Sequence, residues 1–411
     1  MTNGDLRAQG AAVRAASKVL ALSANDARCA VLRTAAAAVR DHQSEILTTN
    51  AQDLARYDDQ GVGRDRLVLT AARVESMAVA LETIAELPDP LFEEVNASTR
   101  PNGLEIVQLR VPLGVVGVIY ENRPNVTTDV AALCVRSGNA AFLRGSASAQ
   151  ATNELLVDLW QNALVAHELP RDAVSLVHDS DHATAEAFMK LTGVIDCLIP
   201  RGGPRLIAAM RDHATVPYVL DGDGNCHVYV DAAADLVMAA AIVRNAKTSR
   251  PGVCNAAESL LVHADVAAEF LPMLLTTMPD VEWRADERAR ALLPGATAAT
   301  EDDFATEFLD LVMAVAVMDS LDDAVAHVER YGSGHSEAIV TQDDATASAW
   351  VRRVDAAAVV VNASTRFVDG SELGLGGEVG ISTQKLHARG PMGLKELTCL
   401  KWVIKGKGQI R

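Results

Sequence analysis

Apolar residues follow a helical spacing in the first part of the chain. Between residues 4 and 95 they recur every three or four positions, as in residues 31–39, which predicts a series of amphipathic helices. Asn25 or Asp26 is the predicted N-cap of the second helix, because both side chains accept hydrogen bonds from backbone N–H groups. Asn, Pro and Gly in residues 98–103 predict a break in this pattern.

The pattern then changes to strands that alternate with helices. Residues 104–111 alternate polar and apolar side chains, which predicts a half-exposed strand, and residues 115–120 form an apolar run typical of a strand buried on both faces. Strands and helices alternate through residues 140–213 and again through residues 228–354, and a last strand is predicted over residues 397–404. This alternation predicts an α/β fold with a parallel sheet that carries helices on both faces.

Length and charge narrow the class of protein. The chain has 411 residues and a net charge of −17, from 37 basic and 54 acidic residues. This excess negative charge repels phosphate groups, so neither nucleic acid nor an anionic membrane surface is an expected partner. The first residues lack the pattern of a signal peptide, and the longest apolar runs are too short to cross a bilayer. We therefore expect a cytoplasmic protein of two or three domains.

The histidines and cysteines do not form a metal-binding pattern. None of the ten histidines belongs to an H-E-x-x-H motif, and the six cysteines include no C-x-x-C pair. Residues 221–225 resemble the start of a calcium loop, but Cys226 and Ala232 occupy the positions that such a loop reserves for Gly and Glu. We expect reduced cysteines and no bound metal.

Cys254 is the cysteine whose neighbours in the sequence favour reactivity. It lies just before a predicted strand, in a loop that contains Pro and Gly, and Lys247 and Arg250 precede it. Positive charge nearby favours the thiolate, which is the nucleophilic form of cysteine. On these residues alone, the alternative is a cysteine that the loop merely tolerates.

A second polar segment follows the buried strand 115–120. Asn122 or Asn125 can donate a hydrogen bond to an oxyanion, and Arg123 can face a phosphate group. Ligands of open α/β sheets bind beyond the carboxyl ends of the strands, which is where these residues are predicted. The alternative is a turn in which an asparagine caps the next helix.

A third segment predicts an anion site. A strand ends at Arg201, the glycines Gly202 and Gly203 follow, and a helix begins near Pro204. Backbone N–H groups at the start of a helix bind anions, and proline is tolerated there because its missing N–H is not needed. The segment is therefore a candidate for binding a phosphate or pyrophosphate.

Taken in this order, the three segments resemble the aldehyde dehydrogenase superfamily and, within it, the gamma-glutamyl phosphate reductase family. The most specific match is the run EVGISTQKLHARGPMGL at residues 378–394. The resemblance covers nearly the whole chain, and the other runs that carry it are residues 120–127, 142–145, 200–203, 224–227 and 250–258.

The resemblance implies roles for the residues of all three segments. Cys254 is the implied nucleophile, and Asn122 falls opposite the superfamily's oxyanion asparagine, with Asn125 as the other candidate. The residues implied to bind the cofactor, NADPH or NADP, are Arg144, Gly145, Ser146, Arg201, Gly202 and Gly203.

Two departures from the superfamily pattern refine this expectation. Leu220 stands where the hydrolytic members carry a glutamate that activates water. No carboxylate follows Arg144 in residues 146–148, which leaves room for the 2′-phosphate of NADP.

The activity that the resemblance implies is NADPH-dependent reduction of L-glutamyl 5-phosphate to L-glutamate 5-semialdehyde and phosphate through a Cys254 thioester. This reaction is the second step of proline biosynthesis from glutamate. The alternatives are a hydrolytic or CoA-dependent aldehyde dehydrogenase and a catalytically silent homologue that acts as a binding subunit. Position suggests a set of substrate-binding residues: Glu121, Arg123, Asn362, Ser364 and Arg366.

The resemblance also implies an aldehyde-dehydrogenase-like architecture with a Rossmann-like, doubly wound cofactor domain, an α/β catalytic domain and a small β flap. We expect the cofactor domain at 1–228, rejoined by 356–375, and the catalytic domain at 229–355. The flap combines 104–112 with 376–411. Its edge strand predicts a homo-oligomer, either a dimer or a tetramer. Glutamate 5-kinase, which makes the substrate, is the candidate protein partner.

Overall fold

The computed structural model describes residues 3–57, 62–179, 181–220 and 222–411. The chain forms two compact units. The first unit contains residues 1–221, 374–380 and 392–411, and the second contains residues 222–373 and 381–391. The α/β class expected from the sequence is confirmed, because both units contain a parallel sheet with helices between successive strands.

Helices open the first unit, as the apolar spacing predicted. They are α1 (Asn3–Leu20), α2 (Asn25–Asp41), α3 (Gln43–Ala55), α4 (Val62–Leu67) and α5 (Ala71–Glu86). The predicted N-cap of α2 is wrong, since the extended residue Ala24 holds that position without a side-chain hydrogen bond. Asn25 and Asp26 lie inside the first turn, where the Asp26 carboxylate interacts with the helix dipole instead.

A four-stranded parallel sheet forms the centre of the first unit, in the order β5-β4-β3-β6. Its central strand β3 (Val115–Tyr120) is buried along its whole length, as the apolar run predicted. The elements in chain order are β1 (Glu94–Thr99), β2 (Glu105–Pro112), β3, α6 (Pro124–Arg136), β4 (Ala140–Arg144), α7 (Gln150–Ala166), β5 (Val174–Leu176), α8 (His182–Met189), β6 (Cys197–Arg201) and α9 (Pro204–His213).

A seven-stranded parallel sheet forms the second unit, in the order β10-β9-β11-β8-β7-β12-β13. Its first elements are β7 (Cys226–Val230), α10 (Leu236–Thr248), β8 (Ala257–His263), α11 (Ala264–Thr277), β9 (Glu282–Ala285), α12 (Glu287–Arg290), β10 (Thr297–Ala298) and α13 (Glu301–Phe304). The remainder are β11 (Val312–Met318), α14 (Leu321–Tyr331), β12 (Ser336–Val340), α15 (Asp344–Arg353), β13 (Ala358–Val361), and the two-stranded antiparallel pair β14 (Ile381–Ser382) and β15 (Gly390–Pro391).

The placement of β13 differs from the sequence expectation. Residues 356–375 were expected to rejoin the cofactor domain, but β13 pairs in parallel with β12, and Val359 lies opposite Glu337. This strand therefore forms an edge of the second unit's sheet. An apolar strand pairs with any neighbour that satisfies its hydrogen bonds, so its sequence does not specify which sheet it joins.

A separate antiparallel sheet in the first unit has the order β1-β2-β16, where β16 is Thr398–Lys405. The strands predicted over residues 104–111 and 397–404 are both present, and they pair with each other. The sequence missed β1, because all its residues are exposed and no alternation marks it. No helix within the described ranges is long and apolar enough to cross a membrane.

Candidate active site

Cys254 lies in the nucleophile loop, defined as residues 249–256, which connects α10 to β8. The residue is half-buried. None of the six cysteines, all within the described residues, forms a disulfide. The loop is closed by a backbone hydrogen bond of 3.0 Å from Ala256 N–H to the Val253 carbonyl oxygen.

Two residues at the start of β7 hold the backbone of Cys254. The Cys226 thiol donates a hydrogen bond of 3.1 Å to the Cys254 carbonyl oxygen, and burial raises the pKa of Cys226, which keeps that donor protonated. Gly224 packs so closely that a Cβ there would lie 1.8 Å from the same oxygen. Its own N–H donates to Glu307 Oε1 at 3.0 Å. Only glycine fits at position 224.

The residue after the nucleophile anchors the loop on its other side. Asn255 Nδ2 donates to the Val368 carbonyl oxygen at 2.9 Å, and Thr365 Oγ1 donates to the Asn255 carbonyl oxygen at 2.7 Å. Arg366 Nη1 donates to Asn255 Oδ1, and Arg366 Nε donates to Ser249 Oγ at 3.3 Å. The segment around residue 366, predicted to bind substrate, thus contacts the nucleophile loop directly.

Asn362 and Ser364 hold this segment in shape. Asn362 has a positive φ of 54°, and its amide forms two 2.9 Å hydrogen bonds with the backbone N–H and carbonyl of Thr341. Ser364 is buried, and its hydroxyl accepts a hydrogen bond from the Arg366 N–H at 3.2 Å. The recorded contacts of both predicted substrate residues are therefore with protein backbone.

Lys247 does not act as an isolated cation beside the thiol. Its ammonium forms a 2.5 Å ion pair with Glu258, and both side chains are completely buried. Burial is the largest influence on the Glu258 carboxyl and raises its pKa to about 7, against the opposite effect of Lys247. Since Lys247 lies in the last turn of α10 and Glu258 is the second residue of β8, the pair bridges the two ends of the nucleophile loop.

In the first unit, the segments that follow β3, β4 and β6 lie side by side at the carboxyl edge of the four-stranded sheet. β3 lies between β4 and β6, with Ile119 opposite Arg144 and Tyr120 opposite Arg201. The loops that leave these strands are consequently neighbours, at the edge where parallel sheets bind ligands.

Glu121 lies against the start of α9. Its Oε2 accepts a 3.1 Å hydrogen bond from Gly203 N–H, and a Cβ on Gly202 would lie 2.7 Å from the Glu121 carboxyl carbon. A Cβ on Gly203 would have no neighbour within 4 Å, so the backbone there is approachable. The anion site predicted at this helix start is occupied here by the protein's own carboxylate.

The amide groups of both candidate oxyanion asparagines make contacts inside the first unit. Asn122 Nδ2 donates to the Tyr57 hydroxyl at 2.6 Å, and Asn122 Oδ1 accepts from Ser146 Oγ at 3.1 Å. Asn125 Nδ2 donates to Asp129 Oδ2 at 2.9 Å. Burial raises the pKa of Asp129 to about 6, although the Asn125 hydrogen bond and Arg201 act in the opposite direction.

Arg144 is a half-buried cation at this edge. Its Nη2 donates to the Asp181 carbonyl oxygen at 2.9 Å. Burial lowers its pKa, while the carboxylates of Asp181, Asp179 and Glu121 act to raise it. Residues 146–148, which follow Arg144 closely in the sequence, contain no carboxylate. The three carboxylates near Arg144 belong to other segments, so the local sequence could not reveal them. Arg123, also predicted here, is the residue that precedes α6.

Comparison with known proteins decides the family. The aldehyde dehydrogenase family model matches residues 2–305. Gamma-glutamyl phosphate reductases from Thermobifida fusca and Moorella thermoacetica are 50% and 49% identical to the chain, each over 99% of both sequences. The crystal structure of gamma-glutamyl phosphate reductase from Thermotoga maritima superposes with a TM-score of 0.94 and 42% identity, over 98% of this chain and 99% of that one.

The chain belongs to the gamma-glutamyl phosphate reductase family. The family resemblance seen in the sequence is thereby confirmed, together with the aldehyde-dehydrogenase-like fold.

For this member of the gamma-glutamyl phosphate reductase family, the sequence missed the residues that hold the nucleophile loop. They are Gly224, Cys226, Asn255, Glu258 and Thr365. The run 224–227 was noticed as part of the resemblance, but nothing in its spacing pointed to the Cys254 carbonyl. Thr365 and Asn255 lie 110 positions apart along the chain, beyond the reach of any local pattern.

Proposed function

We propose that the protein reduces L-glutamyl 5-phosphate to L-glutamate 5-semialdehyde and phosphate with NADPH, as in proline biosynthesis. The observation that carries the proposal is the half-buried Cys254, whose backbone is fixed from both sides by contacts to Gly224, Cys226 and Thr365–Arg366, in a chain of this reductase family. A nucleophile fixed in this way keeps its geometry for attack on an acyl carbon.

The chemistry of the nucleophile loop follows from thiolate reactivity. The Cys254 thiolate attacks the acyl carbon, the carbon–sulfur bond forms, and the carbon–oxygen bond to phosphate breaks with its electron pair on the phosphate. NADPH, when bound, supplies the hydride that reduces the resulting thioester. The thiohemiacetal then loses the sulfur, which restores the Cys254 thiolate and releases the aldehyde.

The carboxyl edge of the first unit's sheet fits a dinucleotide. It offers the Arg144 guanidinium, the hydroxyl of Ser146 and the approachable backbone at Gly203. We assign Arg144–Ser146 and Arg201–Gly203 to cofactor binding. Glu121 would have to leave the Gly203 N–H for a phosphate to take it.

The remaining predicted residues keep proposed roles at the same reaction. An amide NH2 has two hydrogens, and the recorded bonds of Asn122 and Asn125 each use one, so both stay candidates for the oxyanion donor. Arg366 is proposed as a substrate contact, and Asn362 and Ser364 as the residues that position its segment.

The reaction is best tested in reverse, with glutamate semialdehyde, NADP and inorganic phosphate. We expect NADPH formation that depends on phosphate and is lost in Cys254→Ala, because without the thiolate no thioester can form. Absorbance of NADPH measures the rate, and Cys399→Ala, which changes an exposed cysteine of β16, is the matched control.

Other outcomes of this assay point to the alternatives. NADPH formation without phosphate would indicate a hydrolytic dehydrogenase, in conflict with Leu220 at the position of the water-activating glutamate. No NADPH formation by the unsubstituted protein would favour a silent binding subunit. Retained turnover in Cys254→Ala would contradict the assignment of the nucleophile.

We also infer that the protein forms a homo-oligomer through the sheet β1-β2-β16. β16 is an edge strand, and Leu400, Trp402 and Ile404 on one face are 43%, 61% and 64% exposed. An exposed edge with a row of apolar side chains is a surface that a second copy can cover. Binding of glutamate 5-kinase stays a prediction from the chemistry of the pathway.

A further inference from the structure

Two arginines lie near Cys254 in the second unit. Arg250 is exposed and lies four positions before the nucleophile, in the same loop. Arg366 is half-buried and contacts the loop through hydrogen bonds to Asn255 and Ser249. These contacts fix the guanidinium of Arg366 next to the residue that follows Cys254.

Arg366 is a half-buried cation that forms no ion pair with any residue of the described ranges. Its side-chain contacts use its Nε–H and one Nη1–H, and both acceptors are neutral. Among the residues that the structure describes, no carboxylate lies within ion-pair distance of its guanidinium. A half-buried arginine with unused N–H groups can bind an anion, because the anion offsets part of the cost of its burial.

The charges around Arg366 also favour the binding of an anion. Burial lowers its pKa, Asp369 acts to raise it, Arg250 lowers it further, and the negative form of Cys254 and Glu372 raise it. The like charges of Arg250 and Arg366 are thus close enough to repel each other, and both are near the thiolate. An incoming dianion relieves that repulsion, whereas a neutral group does not.

We propose that Arg366 and Arg250 form the subsite for the phosphoryl group of the acyl phosphate, an inference that rests on the proposed function. The subsite lies beside Cys254, where the leaving group of an acyl phosphate must be while its carbonyl carbon is attacked. Both arginines then stabilise the charge that gathers on the phosphate oxygen as the carbon–oxygen bond breaks. In the reverse direction they hold inorganic phosphate for attack on the thioester.

The proposal differs from recognition of the substrate's α-carboxylate. That carboxylate is separated from the reacting carbon by the glutamyl side chain, whereas the phosphoryl group is bonded to the reacting acyl group. A guanidinium fixed on the residue next to the nucleophile is placed for the phosphoryl group. Its planar fork also matches phosphate oxygens in pairs.

Steady-state kinetics of the reverse reaction separate these roles. In Arg366→Gln we expect the KM for inorganic phosphate to rise about 10- to 100-fold, as for loss of a charge-assisted hydrogen bond, with the KM for the semialdehyde unchanged. Arg250→Gln should raise the KM for phosphate by a smaller factor, since that side chain is exposed. Arg352→Gln, which removes an exposed arginine of α15, is the matched control and should leave both constants unchanged.

Alkylation of Cys254 tests the same site without turnover. Inorganic phosphate should protect Cys254 of the unsubstituted protein from iodoacetamide, and Arg366→Gln should need about 10-fold more phosphate for the same protection. Arg366→Gln should also shift the pH of half-maximal alkylation upward, because a cation near the thiolate is lost. Circular dichroism shows whether the variant is folded, and Arg366→Lys should recover part of the protection.

Several outcomes would overturn the proposal. A lower kcat in Arg366→Gln with an unchanged KM for phosphate would reduce Arg366 to a residue that positions the loop. A raised KM for the semialdehyde alone would assign it to the α-carboxylate. Failure of the proposed function would appear differently, as no phosphate-dependent NADPH formation by the unsubstituted protein, and the protection assay would still decide whether phosphate binds here.

Discussion

At the scale of single residues, the geometry of Cys254, the proposed nucleophile, depends on a glycine that makes no chemical contribution of its own. Gly224 lets the chain before β7 approach the Cys254 carbonyl to a distance that no side chain permits. Cys226 then donates to the same oxygen, so two residues from one segment fix the orientation of a third. The reactive side chain is supplied by one loop, and its geometry by another.

Gly224→Ala should strongly impair catalysis although it adds only one methyl group. The added Cβ would meet the backbone of Cys254 at 1.8 Å, and backbone cannot move aside as a flexible side chain can. A displacement of roughly 1 Å at a reacting group can lower kcat/KM by about 100-fold. Initial rates of NADPH formation measure the loss.

The matched control for this substitution is Gly377→Ala. A Cβ there would only make ordinary contact, at 3.6 Å from Ile84 Cδ1, so we expect near-normal activity. Normal activity of Gly224→Ala would contradict the role assigned to the close approach at Cys254.

At the scale of elements, a buried ion pair fixes α10 to β8 at the two ends of the nucleophile loop. Lys247 and Glu258 have no exposed surface, and Glu258 also accepts a 3.3 Å hydrogen bond from Leu309 N–H. Removing two charges from water costs free energy that offsets much of their attraction. We therefore expect the pair to fix the geometry of the loop and to add little net stability. We infer that the pair holds the two ends of the nucleophile loop in position.

Glu258→Leu should destabilise the second unit by about 3–5 kcal/mol, because it leaves the Lys247 ammonium buried without its partner. The double variant Lys247→Met/Glu258→Leu should lose less, since neither charge remains buried. Urea denaturation followed by the fluorescence of Trp283 and Trp350, both in this unit, measures the free energy of unfolding.

Asp322→Asn provides the comparison for the ion-pair experiment. It breaks the Arg353–Asp322 pair, whose side chains are 42% and 79% exposed, so the loss should stay below about 1 kcal/mol. A double variant that is less stable than Glu258→Leu would show that the unpaired Lys247 ammonium is not the cause of the destabilisation, contrary to our expectation.

At the scale of the whole molecule, the small sheet β1-β2-β16 exposes much of its surface. All six residues of β1 are exposed, and β16 presents a row of apolar side chains at its edge. A net charge of −17 repels other macromolecules of the same sign, so association depends on local apolar contact rather than on global attraction. This sheet is therefore the surface on which assembly should depend.

Trp402→Glu should dissociate the proposed oligomer, because it places a charge in the centre of the apolar row. Sedimentation velocity gives the mass in solution. Lys401→Glu alters the opposite face of the same strand and should leave the mass unchanged. A monomeric unsubstituted protein, or an unchanged mass in Trp402→Glu, would contradict assembly through β16.

The sequence alone determined what local patterns encode. An apolar run specified β3, helical spacing specified the helices that open the first unit, and the combination of motifs identified the family and indicated Cys254 as the candidate nucleophile. These signals succeed because secondary structure depends on residues within one or two turns or strand lengths of each other.

Only the tertiary structure decided which distant residues surround the nucleophile. Val368 and Asn255, which share a hydrogen bond, lie 113 positions apart, and the sheet that β13 joins and the ion pair of Lys247 are equally nonlocal. Such contacts form where separate segments pack together, and residue spacing within any one segment carries no record of them. The sequence therefore indicated Cys254 as the candidate nucleophile, whereas only the fold determined which residues contact it.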